Sequence, residues 1–208
     1  MNSQPSERST TYLRLFVVAI LLTLAAGWLL TDFLGTVAEK GFKKECEREA
    51  LLTNTFLHDN FNDVTSAAKS LGPAEAIVVA LASGSSYDLE RANSLLDRIN
   101  KNFTMSVCYL IDRNGLTIAS SNRQEKDSFV GRSFADRPYF TRAIATGGLT
   151  TYFALGKVSH ERGYYAAVPV IGSTGALSGV VVVKKNVAPV EAFFKQYDHA
   201  FLVSPEGI

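Results

Sequence analysis

Ser106–Ser120, SVCYLIDRNGLTIAS, decides how the rest of the chain is read. Ser106 to Asp112 is a run of strand formers, Arg113-Asn114-Gly115 supplies a turn, and Leu116 to Ser120 resumes the extended pattern. The stretch therefore predicts a β-hairpin. Before it, apolar residues recur with a helical period; after it they fall mostly into short strand-length runs.

Downstream, a polar excursion from Ser121 to Ser128 leads into Phe129–Phe140, FVGRSFADRPYF. Asp136 is placed to cap a helix over 137–145, with Pro138 in its first turn, and Gly147-Gly148 stops it. Three further strands are predicted at 150–155, 164–171 and 177–185. The last two are joined by the short loop GSTGA, which favours an antiparallel hairpin, and a final helix covers 189–196. The reading is an α+β module: a five-stranded antiparallel sheet with a helix inserted after its second strand, the sheet face near that helix enclosing a pocket.

Upstream, Leu15 to Leu30 carries no charge, and with its apolar flanks the segment 12–34 exceeds the roughly 20 residues that cross a bilayer as a helix. A signal peptide would have a shorter apolar region and a small-residue cleavage site, and Gly35 to Lys44 offers no clear one, so an uncleaved transmembrane anchor is expected. Arg8 and Arg14 precede it and leave residues 1–11 on the cytoplasmic side, although Lys40, Lys43 and Lys44 follow closely. A helical scaffold is read over 36–104. Its first helix, to Leu71, bears Leu57, Phe61, Val64, Ala68 and Leu71 at heptad spacing and ends at Gly72-Pro73. That stripe can pack on the chain's own domain or pair with a second copy. A short helix over 73–82 follows. Another, capped by Ser86, presents Leu89, Ala92, Leu96, Ile99 and Phe103 on one face. At the other end, 197–208 repeats the pattern of the hairpin: AFLVSPEGI beside YLIDRNGL reads as the start of a second, similar module, and the 208 residues as part of a longer protein.

A formal net charge of +1 gives no reason to expect a nucleic-acid partner. Cys46 and Cys108 are too few for a disulfide framework, and His58, His160 and His199 have no ligand-like spacing, so neither metal nor cofactor is expected. No catalytic constellation is present, and Asp112-Arg113-Asn114-Gly115 lacks the alternating oxygens of a calcium loop. The groups suited to binding are those that hold an anion. Arg137 stands at a helix start, where guanidinium and free backbone N–H groups both favour a carboxylate, or where it can pair with Asp136 instead. Lys184 shares a strand face with Val180 and Val182, and its ammonium either meets an anion or reaches solvent. Ser159 lies in a strand connection, as a hydroxyl donor or a solvated loop serine. Arg132 reads as scaffold.

Taken together, YLIDRNGLTIASSN, FVGRSFADRPYF, YFALG, RGYYAAVPV and GVVVVKK resemble, in order, the membrane-distal module of a double Cache (PAS-like) periplasmic sensor domain. The likeness is to the sensors of C4-dicarboxylate transport histidine kinases and runs from Val107 to about Lys185, within a sensor module read over 105–196. It implies a receptor in the bacterial inner membrane, its sensor module in the periplasm, that binds a small carboxylate and carries the signal inward along the long helix, whose heptad stripe suggests a homodimer. It maps the ligand contacts onto Arg137, Ser159 and Lys184. Two positions depart from the pattern: Asp136 stands where an aromatic is expected, and Lys157-Val158 where a second hydroxyl is, which adds both residues to the binding site. The implied whole is a sensor histidine kinase. A diguanylate cyclase or chemoreceptor with the same input, and a membrane-anchored structural protein without ligand, are the alternatives.

Overall fold

The computed structural model describes residues 7–195, so the expected second module at 197–208 lies outside the described residues. Two compact units meet at Thr55/Phe56. In the first runs the N-terminal part of helix α1 (Glu7–Leu71), whose apolar side chains are exposed. It is long and apolar enough to cross a membrane, its most apolar window having a mean hydropathy of 2.3. The sequence reading separates an anchor from a signalling helix at Gly35, but the helix continues through Gly35 and Gly41. A single helical glycine costs only about 1 kcal/mol against alanine, too little to end a helix this long.

In the second unit β1 (Val107–Asp112) and β2 (Thr117–Ser120) form the expected hairpin. Gly115 turns it with φ +88°, and a side chain there would run into the backbone of Ala135. The Asp112 carboxylate accepts from the N–H groups of Asn114 and Leu116, both at 2.9 Å, which is how the sequence that resembles a calcium loop closes an ordinary turn. With β3 (Thr150–Leu155), β4 (Arg162–Ile171) and β5 (Leu177–Asn186) these strands make one antiparallel sheet in the order β2-β1-β5-β4-β3.

The sheet is covered on both sides, which explains why the central strand β5 reads as the continuous apolar run GVVVV. One face, with Leu110, Ala166, Val181 and Val183, packs on Val64, Ala68 and Leu71 of α1, on α2 (Glu75–Ser83) and on α3 (Ser86–Asn102). The last three members of the heptad stripe are therefore core residues of this domain, fully buried and unable to line a dimer seam. Ser85, one residue earlier than read from sequence, caps α3 by accepting from the Asp88 N–H at 3.1 Å. The other face, with Tyr109, Ile111, Ala167, Val180 and Val182, packs on Phe129, Phe134 and the inserted helix α4 (Pro138–Thr146). α5 (Ala188–Phe194) follows the sheet; its Glu191 pairs with Arg162 and its Phe193 stacks on Phe56 at 4.1 Å.

Candidate functional site

Period-two alternation on β4 and β5 sorts neighbouring residues to opposite faces. Tyr165 and Lys184, cross-strand partners, belong to the α4 side, while Tyr164 packs with Phe61 of α1 on the other. Lys185 likewise reaches the far side and donates to the Asn60 carbonyl at 3.2 Å. Lys184 is only 1% exposed. Its stem fits because Gly163, diagonal to it on β4, has no side chain: a Cβ there would lie 2.7 Å from Lys184 Cε. The ammonium donates to Ser159 Oγ at 2.6 Å and lies 5.9 Å from the centre of the Tyr165 ring. Among the described residues no carboxylate forms an ion pair with it; burial pushes its pKa down, and Glu161 and Asp127 act on it only at longer range.

Arg137 approaches the same ring from α4. The residue before a proline is kept out of helical backbone angles, so Arg137 takes φ −79°, ψ 132° and becomes the N-cap position, with Pro138 opening the helix. This corrects the sequence reading, in which the helix starts at Arg137 and Asp136 caps it: no side chain caps α4. The guanidinium lies over Tyr139 (5.6 Å to the ring centre) and Tyr165 (6.0 Å), and Nη2 donates to the Leu155 carbonyl at 3.0 Å. Tyr139 and Tyr165 are stacked at 4.9 Å with an interplanar angle of 8°. Beneath them the Tyr109 hydroxyl donates to that of Tyr139 at 2.8 Å, and burial pushes the Tyr139 phenol up to about 12. Two cations, Arg137 and Lys184, thus lie within about 6 Å of the centre of the same Tyr165 ring.

Asp136 does not pair with Arg137. Its carboxylate takes the Lys157 ammonium at 2.5 Å, which holds the acid below the usual carboxylate range. The two departures from the expected pattern thus neutralise each other. Arg132 donates to the Ser128 carbonyl at 2.7 Å, as a scaffold residue does. The tyrosine floor and the close approach of Gly156 and Gly163 to Lys184 escaped the sequence reading. Only the doubled tyrosine and glycine in RGYYAAVPV hinted at them.

No protein-family model matches the chain. It is 36% identical over 178 residues to the C4-dicarboxylate transport sensor protein DctB of Rhizobium meliloti, covering 85% of this chain and 28% of that protein. To the protein of the same name from Pseudomonas aeruginosa it is 37% identical over 112 residues, 54% of this chain and 18% of that one. The chain thus spans less than a third of the length of these curated relatives. The crystal structure of the Vibrio cholerae histidine kinase DctB sensor domain superposes with a TM-score of 0.66 at 36% identity, over 72% of this chain and 57% of that one. The superposition and the sequence likeness agree: the chain carries a Cache-type sensor domain like that of the C4-dicarboxylate transport sensor proteins.

Proposed function

We propose that this chain is the extracytoplasmic, ligand-sensing part of a two-component sensor histidine kinase of the bacterial inner membrane, and that its ligand is a C4-dicarboxylate or a similar small organic acid. The observation that carries the reading is the Lys184 ammonium, buried on a tyrosine floor with a hydroxyl but, among the described residues, no carboxylate for a partner. A buried cation without a counter-ion is costly, and a site that keeps one is built for an anion arriving from outside. Lys184 and Ser159 take one carboxylate. Arg137, whose fork suits a planar two-oxygen acceptor, exchanges its bond to the Leu155 carbonyl for the other. Asp136 and Lys157 border the site, and the segment 12–34 anchors the chain with its sensor module in the periplasm. Binding favours a closed arrangement of α4 and the β3–β4 loop, and the preference reaches α1 through Lys185 and Tyr164 on the opposite face.

Isothermal titration of the whole chain in nanodiscs against succinate, fumarate, malate and a panel of amino acids tests this. One-site binding of at least one C4-dicarboxylate is expected. Binding of amino acids alone, or no heat with any ligand, overturns the assignment.

A further inference from the structure

The ion pair between Asp136 and Lys157 is placed where it can sort ligands by charge. Asp136 is the immediate neighbour of Arg137. Lys157 is the neighbour of Gly156, where a Cβ would lie 3.2 Å from Lys184 Nζ and 2.5 Å from Ser159 Oγ. The pair therefore joins the two ends of the site. It also bears on the loop 156–161, a tight connection closed by Gly156 N–H to the Glu161 carbonyl (2.9 Å) and His160 N–H to the Gly156 carbonyl (3.1 Å). That loop is held at two points on opposite sides: Ser159 by Lys184 within, Lys157 by Asp136 without. The inner point is part-buried, with Lys184 itself 1% exposed; the outer side chains are 43% and 65% exposed.

We propose that Asp136 and Lys157 form a charge gate: their pair latches the β3–β4 loop to the start of α4 and masks, for an entering dianion, the carboxylate beside Arg137. This rests on the anion-binding reading of the same site and adds a specificity role to it. An exposed pair contributes little to stability, so its effect falls on what passes it. With Lys157 present the mouth next to Arg137 is electrically balanced and the interior is positive, which favours two carboxylates. Without it, Asp136 repels a dianion and attracts an ammonium group, so amino acids gain relative to dicarboxylates. A surface pair with a structural role alone would shift neither preference.

The test uses the whole chain in nanodiscs, succinate and L-aspartate as probes, and the variants Lys157→Ala, Asp136→Asn and their combination. Lys157→Ala is expected to weaken succinate about threefold or more at low ionic strength, with aspartate weakened less, and the difference to shrink in high salt. Adding Asp136→Asn is expected to restore succinate affinity. An equal loss in the Asp136→Asn background overturns the gate, because Lys157 would then be touching the ligand, and so does unchanged discrimination in Lys157→Ala. A ligand-free arm separates this from the sensor reading. Carbon-13 titration of the Asp136 carboxyl should place it below the ordinary range in the native chain and back toward that range in Lys157→Ala. An unperturbed Asp136 removes the pair on which the gate depends. A perturbed Asp136 in a chain that binds neither probe overturns the sensor reading, and the gate falls with it.

Discussion

Replacing Lys184 by methionine separates a residue kept for ligand from one kept for the fold. Methionine has nearly the same length and no charge, so the channel past Gly163 stays filled. In the ligand-free protein Lys184 is a cation at 1% exposure whose described bond is to one neutral hydroxyl. Burying a polar group without full compensation costs about 1–3 kcal/mol. Lys184→Met should therefore stabilise the ligand-free chain by up to that amount, at about 2–4 °C of melting temperature per kcal/mol for a domain of this size. Burial lowers the folded-state pKa of Lys184, so the destabilising contribution is fully present below that pKa. It is relieved as pH rises through it toward the ordinary 10.5, because there the unfolded chain binds the proton more readily. The stability gap between native and variant chains should accordingly narrow on the alkaline side. On ligand binding the sign is opposite: removing one partner of a buried charge pair costs about 2–5 kcal/mol, a loss of affinity of roughly 30-fold to several thousandfold. At a concentration of 100 times its Kd a dicarboxylate stabilises the native protein by about 2.7 kcal/mol. Scanning fluorimetry with and without succinate should thus show a variant that melts higher alone and gains from ligand at most about 0.9 kcal/mol, a third of the native gain. A variant that melts lower and still binds succinate with native affinity would show that the ammonium belongs to the fold, and would refute the reasoning.

Arg137→Lys keeps the charge and loses the planar fork, so dicarboxylate affinity should fall by about tenfold or more in titration calorimetry while the melting temperature changes little. Gly163→Ala places a methyl 2.7 Å from Lys184 Cε at a backbone conformation that alanine tolerates. Its affinity loss should largely vanish in a Lys184→Met background, which a double-mutant cycle reads directly. Leu71→Ala, at a fully buried position where α1 meets the sheet, should destabilise the second unit by about 2–5 kcal/mol in denaturant unfolding without altering ligand preference.

Much of this protein was legible locally. Strand propensity and the Asn-Gly turn in SVCYLIDRNGLTIAS, the uncharged run from Leu15 to Leu30, and the apolar face of α3 each depend on neighbours within a few residues, and each is where it was expected. Period-two alternation even placed Lys184 on the face of Val180 and Val182. The start of α4 was read one residue early because a proline restrains its predecessor more than composition suggests.

What only the tertiary structure decided is which charges meet. Asp136 and Arg137 adjoin in sequence, yet the acid pairs with Lys157 across 21 positions, and Lys184 finds Ser159 across 25. The order β2-β1-β5-β4-β3 brings the last strand to the centre of the sheet, so that Lys184 is buried rather than extended into solvent. Electrostatic partners are chosen by distance and dielectric, both of which depend on the folded chain. The residue types marked out groups suited to holding an anion; that, among the described residues, the buried Lys184 meets a hydroxyl and no carboxylate came from the packing.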